Sequence, residues 1–405
     1  MATAFLLAPP CPAQLLGDVT GDGELTAHDS DSLANHLLGR QTLSPQAAAR
    51  ADCDGRRGLD AADLVWIVNQ HSSDLIPQMI RIPGGPFLMG DPWAEGHVPD
   101  VPMHLVKLSP YEIGRFEVTN AELCAFLNEA HAAGAVSIAE GVVVRGEFPL
   151  CDTAQAEPDA QIEFVDGQFR PRERLTGSGA PVSMASHPAV HVSWYGAAAH
   201  CNWLSRRHGF DEVYVETGEW PARLDRNGYH LPTEAQWERA ASWDPGHTGL
   251  SSYPVPPLAP ALGRWRFATQ SDAVDDSSAN VTLFLAGHFV PANPIALASG
   301  PPTSPVGFYN GQSFSRTGLT LDSRSPAGCR DMTGNVWEWC HDWYGRDYYT
   351  DSPVADPPGP SSGLARIIRG GSWQNMPQYS RSAYRVLLRP DLRYGLDGYR
   401  VARSL

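Results

Sequence analysis

Two short acidic stretches near the start of the chain have residue types spaced for metal chemistry. Asp18, Thr20, Asp22, Thr26 and Asp29 put oxygen atoms at positions 1, 3, 5, 9 and 12 of a twelve-residue loop, with Gly23 at position 6 and Glu24 after it. A hard cation such as calcium takes six to eight oxygens, and glycine at the sixth position allows the sharp turn that closes such a loop. A second copy runs from Asp52 to Asp63 and offers Asp52, Asp54, Asp60 and Asp63. There Arg56 stands at position 5 and Arg57 replaces the glycine, so a cation would lose a ligand and meet a guanidinium. Calcium binding is expected of the first loop and weak or no binding of the second.

Other catalytic chemistries are poorly supplied. The seven cysteines, at 11, 53, 124, 151, 201, 329 and 340, form no Cys-x-x-Cys pair, which excludes zinc-ribbon and thioredoxin-like arrangements. Cys329 and Cys340 are close enough in sequence to suggest a local bridge. Fourteen histidines include no HExxH pattern, and no GxSxG, phosphate-loop or dinucleotide fingerprint occurs. A net charge of -15 opposes attraction to phosphate backbones, so nucleic acid is not expected as a partner. No run reaches the roughly 18 to 20 apolar residues that span a bilayer.

The elements that must position these groups are legible in part. Ser30 to Arg40 sets Leu33, Leu37 and Leu38 at helical spacing after the first loop, and Leu64 to Val68 continues the second. A repeated calcium loop leading into a helix resembles a dockerin. That resemblance implies a small all-α N-terminal module over residues 15–72 whose partner is a cohesin-like scaffold protein. Residues 1–14 resemble the end of a secretory signal or an apolar tail, and an extracellular or cell-envelope location is expected. Residues 73–78 read as a linker closed by Pro77.

Beyond it, with 38 Gly, 35 Pro and 12 Trp in the chain, turns are expected around aromatic packing. Ile80 to Gly90 predicts two strands around a glycine turn. Thr119 with Glu122, and Thr233 with Gln236, have capping-box spacing ahead of two helices. Between them Tyr195 to Arg207 predicts an amphipathic helix burying Ala198, Cys201, Trp203 and Leu204. Residues 132–182 and 244–325 read as long insertions, a usual place for binding surfaces.

Near the end, Gly334-Asn335-Val336-Trp337-Glu338-Trp339 is followed by Arg369-Gly370-Gly371-Ser372-Trp373. With the preceding segments these motifs resemble the formylglycine-generating enzyme, or sulfatase-modifying factor, family over residues 79–405. The resemblance implies an α+β, loop-rich, C-type-lectin-like fold that holds calcium through Asp331, Gly334, Val336 and Glu338, with a further site at Asn280. It also implies a substrate pocket near Trp337, Ser372 and Tyr379. Copper-dependent members oxidise a client cysteine with a pair of thiols, whose positions lie three and eight residues beyond the serine. Here those positions are Asn375 and Ser380. Copper(I) selects sulfur, so copper is not expected, and the function expected is a noncatalytic or divergent domain that binds a peptide or glycan. The alternative is an oxidase of the same family.

Overall fold

Three helices are set by the residues that precede them. Thr119 accepts a hydrogen bond from the Glu122 amide and Glu122 answers the Thr119 amide, closing a capping box ahead of the helix Asn120–Ala132. Thr233 and Gln236 do the same for Glu234–Ser242. Ser193 caps Trp194–Arg207 through the Gly196 amide alone. That helix buries Ala198, Cys201, Trp203 and Leu204 as its spacing predicts.

The computed structural model describes residues 77–405 except 94, 96–99, 248–262 and 316, together with a few positions before 77. Contacts divide the chain into one unit ending at Ile76 and another beginning at Pro77. In the first, Val19, Leu33, Ala47 and Ala51 form a small apolar cluster. The dockerin-type residues Asp18, Thr20, Asp22, Glu24, Thr26 and Asp29, and Asp52, Asp54, Asp60 and Asp63, lie outside the described residues.

The second unit is α+β. One antiparallel sheet has Tyr111–Gly114 between Met79–Ile82 and Ala402–Ser404, with Tyr229–His230 at the far edge. The second sheet has the order Arg385–Leu388, Arg366–Arg369, Trp337–Trp343, Asp397–Gly398, and its last pairing is parallel. The two strands predicted around Gly84 and Gly85 both form, yet they join different partners. Met79–Ile82 pairs with Tyr111–Gly114, whereas Gly85–Met89 pairs with His104–Leu108.

Residues 132–182 are more ordered than an insertion loop. Three strands, Ser137–Ala139, Val142–Arg145 and Phe148–Asp152, form a small sheet, and Ile162–Val165 pairs with Gln168–Pro171. Between the helix Glu234–Ser242 and the sheets lies a core containing Trp237, Ile113, Ile367, Met332, Cys329 and Cys340. Among the described residues no helix is long and apolar enough to cross a membrane.

Candidate functional site

The strand Trp337–Trp343 is buried along its whole length, and its partners decide what each side chain can do. Glu338 lies opposite Arg369 on one side and Gly398 on the other. Its carboxylate accepts from Arg400 Nε at 2.5 Å and Nη2 at 2.6 Å, and from Trp237 Nε1 at 2.7 Å. A two-pronged guanidinium contact of this kind is the strong form of a charged hydrogen bond. Glu338, expected as a calcium ligand, is thus engaged as the counter-ion of Arg400.

Comparable pairs surround the third helix. Glu234 takes both prongs of Arg385 at 2.8 and 2.7 Å, and Glu238 lies between Arg264, at 2.8 Å, and Arg369. These buried carboxylates are thus matched by guanidinium groups, as charges taken out of water require.

The turn after Arg366–Arg369 depends on glycine. Gly371 has φ +75°, and a Cβ there would come within 2.0 Å of Ser380 Oγ. Only a residue without a side chain lets the two ends of this turn approach so closely. Ser372 and Ser380 are consequently buried under the turn. Ser372 Oγ donates to Asn375 Oδ1 at 2.6 Å, while Ser380 Oγ is buried without a hydrogen-bond partner among the described residues.

Beside this turn is a cleft of about 490 Å³. Of the residues named from the sequence, Trp337, Asn375 and Tyr379 line it, whereas Ser372 and Ser380 do not. Its remaining walls come from residues that the motifs did not indicate: Tyr384, Tyr394, Asp397 and apolar side chains including Ile368, Val386 and Leu396. The Tyr379 and Tyr384 rings meet edge to face at 5.4 Å, and Trp337 lies 6.4 Å from Tyr384. Both carboxylate oxygens of Asp397 are buried without a hydrogen-bond partner among the described residues, and burial pushes this acid well above the usual carboxylate range.

The other residues of the calcium expectation gather around Asn335. Asp331, Gly334 and Asn335 all have positive φ, at 61°, 78° and 60°, a conformation that Asp, Gly and Asn tolerate best. Asn335 donates to Glu117 Oε2 at 2.8 Å and its main-chain N–H to Asn280 O at 2.8 Å, drawing both toward the loop. Asp331 Oδ2 accepts from the Gly307 amide at 2.5 Å. Burial, followed by the negative charges of Asp331 and Glu338, holds Glu117 well above its ordinary range. Burial likewise raises Asp331, to about 6.

The Oε1 of Glu117 and Oδ1 of Asn280 are buried without hydrogen-bond partners among the described residues. These leftover oxygens, with the Asp331 carboxylate and the Gly334 and Val336 carbonyls, suit a hard cation in kind. Among the described residues, however, no three His, Cys, Asp or Glu side chains converge as a metal cluster. A cation here would combine two carboxylates, Glu117 and Asp331, with main-chain and amide oxygen.

The described thiols are reserved for packing. Cys124, Cys151, Cys201, Cys329 and Cys340 are buried and free, so the local bridge suggested for Cys329 and Cys340 does not form. Burial raises every one of their pKa values, Cys329 to about 11. A thiol held protonated is a poor nucleophile and a poor metal ligand.

With this geometry in view, comparison with known proteins gives a consistent result. Residues 67–405 match the family model described as sulfatase-modifying factor enzyme 1-like domain. The chain is 32% identical over 340 residues to the formylglycine-generating enzyme of Streptomyces coelicolor, covering 80% of this chain and 88% of that one. It is 29% identical to the corresponding enzyme of Thermomonospora curvata, covering 83% and 96%. Among solved structures, PvdO from Pseudomonas aeruginosa superposes with a TM-score of 0.50 at 25% identity, covering 82% of this chain and 95% of that one. The motifs, the mixed sheets and these matches together establish that the chain belongs to the sulfatase-modifying-factor family.

Proposed function

We propose that this chain is a noncatalytic or divergent member of its family that binds a peptide or glycan in the cleft beside Trp337, Asn375 and Tyr379. The observation that carries the reading is the chemistry at Asn375 and Ser380, where the family resemblance places a copper-binding thiol pair. Amide and hydroxyl oxygens are hard, neutral donors, and copper(I) is held by soft sulfur. The Asn375 amide oxygen is moreover tied to Ser372, and Cys329 and Cys340 are packed in the apolar core, so neither supplies a substitute pair at the turn.

Calcium fits the same reading as a stabiliser of the lectin-like loops, held by Asp331, Asn280, Glu117 and the carbonyls of Gly334 and Val336. The N-terminal segment would act as a dockerin-type adaptor, using its first calcium loop, to attach the domain to a cohesin-like scaffold outside the cell or in its envelope. A second reading, a formylglycine-generating oxidase, is favoured by the 32% identity to the Streptomyces enzyme.

Titration with copper(I), followed by incubation with a peptide bearing the sulfatase cysteine motif, separates the two. The expected result is no stoichiometric copper and no aldehyde product. Turnover that a copper chelator abolishes would end the noncatalytic reading.

A further inference from the structure

We propose that the cleft takes a peptide in extended conformation, which adds as an outer strand along Arg385–Leu388 and sets apolar side chains against Ile368, Val386 and Leu388. The inference rests on the reading of this cleft as a binding groove and selects the peptide from its two ligand classes.

Arg385–Leu388 is an edge of its sheet, paired with Arg366–Arg369 on one side alone. Alternate residues of an antiparallel ladder turn their N–H and C=O to opposite sides of the strand. Ala365 O accepts from the Tyr344 N–H at 2.8 Å, so Ala365, Ile367 and Arg369 face the strand Trp337–Trp343, while Arg366 and Ile368 face the edge. Leu388 and Val386 lie opposite Arg366 and Ile368 and are engaged by them. Arg385 and Leu387 therefore turn outward, and the Arg385 N–H goes to Asp100 Oδ1 at 3.3 Å. The N–H and C=O of Leu387 have no partner among the described residues. Leu387 is 47% exposed and lines the cleft. The edge carries no proline and no bulge, the usual guards against pairing with another strand.

The unpaired groups indicate what fits. A peptide residue opposite Leu387 returns one N–H and one C=O at the spacing that the edge presents, which is the basis of strand addition. Residues paired across a ladder place their side chains on the same face, so this one points away with Leu387. The peptide residues before and after it point to the other face, that of Ile368, Val386 and Leu388, which lines the cleft beside Trp337. Apolar residues on both sides of the bridged one suit this wall. A sugar would set hydroxyl groups against the same apolar side chains, with little to replace their water.

The test uses the full chain with the capped pentapeptide acetyl-Ser-Leu-Thr-Leu-Ser-amide, the same peptide N-methylated at its threonine, and cellopentaose, each followed by calorimetry. The parent peptide is expected to bind with a Kd below about 1 mM, and N-methylation to weaken it by about tenfold or more. Leu387→Pro removes the outward N–H, a change that an edge strand tolerates, and should weaken the parent peptide by about tenfold or more. Leu387→Ala keeps the N–H and should bind within about threefold of the native chain. Circular dichroism checks the fold of both variants; should Leu387→Pro misfold, the N-methylated peptide makes the same comparison on the native chain.

No binding of the parent peptide, equal binding of the methylated one, or full binding by folded Leu387→Pro would each overturn the proposal. A dimer of the native chain that Leu387→Pro dissolves, seen by analytical ultracentrifugation, would assign the edge to a second copy and overturn it too. Cellopentaose binding without peptide binding removes this inference and leaves the cleft a binding groove. Copper-dependent turnover of the sulfatase-motif peptide would remove the noncatalytic reading whatever the pentapeptide does.

Discussion

Replacing Glu338 by glutamine tests whether this carboxylate serves an arginine or a metal. Glu338 and Arg400 both have 0% side-chain exposure, and the carboxylate receives two bonds from Arg400 and one from Trp237. Glu338→Gln keeps the volume and removes the charge, leaving a guanidinium in the core beside the more weakly coupled Glu117 and Asp331. Breaking a buried pair from one side costs about 3–5 kcal/mol, and the nearby negative charge places the expectation toward about 3. With a urea m-value of about 3 kcal/mol/M the unfolding midpoint falls by about 1 M.

The assay is urea unfolding followed by tryptophan fluorescence, carried out in calcium and again in a calcium chelator, for Glu338→Gln, Arg400→Met and the double variant. The double variant should cost less than the two single changes combined, because each single change strands the other partner. The loss in Glu338→Gln should be the same with and without chelator. A loss below about 1 kcal/mol, or one that disappears in chelator, would refute the assignment of Glu338 to Arg400 and return it to the metal.

Other consequences are open to measurement. Burial, and after it the Glu234 charge, pushes the Asp342 carboxyl up to about 7, so the folded chain binds this proton more tightly than the unfolded chain. Its contribution to stability is complete below about pH 4 and is lost as pH rises through 7, and Asp342→Asn should flatten that part of the urea-midpoint profile; parallel profiles would contradict this. Cys124, Cys151, Cys201, Cys329 and Cys340 should resist alkylation in the native chain and label together on unfolding, as peptide mapping by mass spectrometry would show. Gly371→Ala, which forces a methyl group onto Ser380 at positive φ, should lower stability by about 2 kcal/mol or more in the same urea assay. Asp22→Ala should lower calcium bound per chain by about one ion in a calorimetric titration; an unchanged isotherm would count against the first loop.

Local rules accounted for what was legible in the sequence. Thr119 with Glu122 and Thr233 with Gln236 announced their helices because a capping box is complete within four consecutive residues. The glycine turn at 84 and 85 was equally visible, but which strand joins which sheet depends on partners as distant as Ala402, and no local pattern contains that. The cleft divides in the same way. Trp337, Asn375 and Tyr379 belong to recognisable motifs, whereas Asp397 enters through a parallel pairing with Trp337 across sixty residues.

Ser372 and Ser380 show the reverse case. They occupy motif positions, yet the close approach at Gly371 turns them under the surface. Glu338 is similar, since the identity of its partner, Arg400, follows from tertiary packing alone. Asp397 stands among Arg389, Asp391, Arg393 and Arg400, so nothing in its local sequence marks it as a buried part of the cleft wall.

The sheet that joins the beginning and end of the larger unit has a mechanical consequence. Met79 lies opposite Gly114 and Ser404 opposite Tyr111, so the entering and leaving strands run in the same direction on either side of one central strand. Tension between those two strands would act along them, across ladder bonds that lie perpendicular to the pull, and would load the bonds together instead of peeling them apart singly. A domain tethered at residue 79 and pulled from its far end would resist as a clamp.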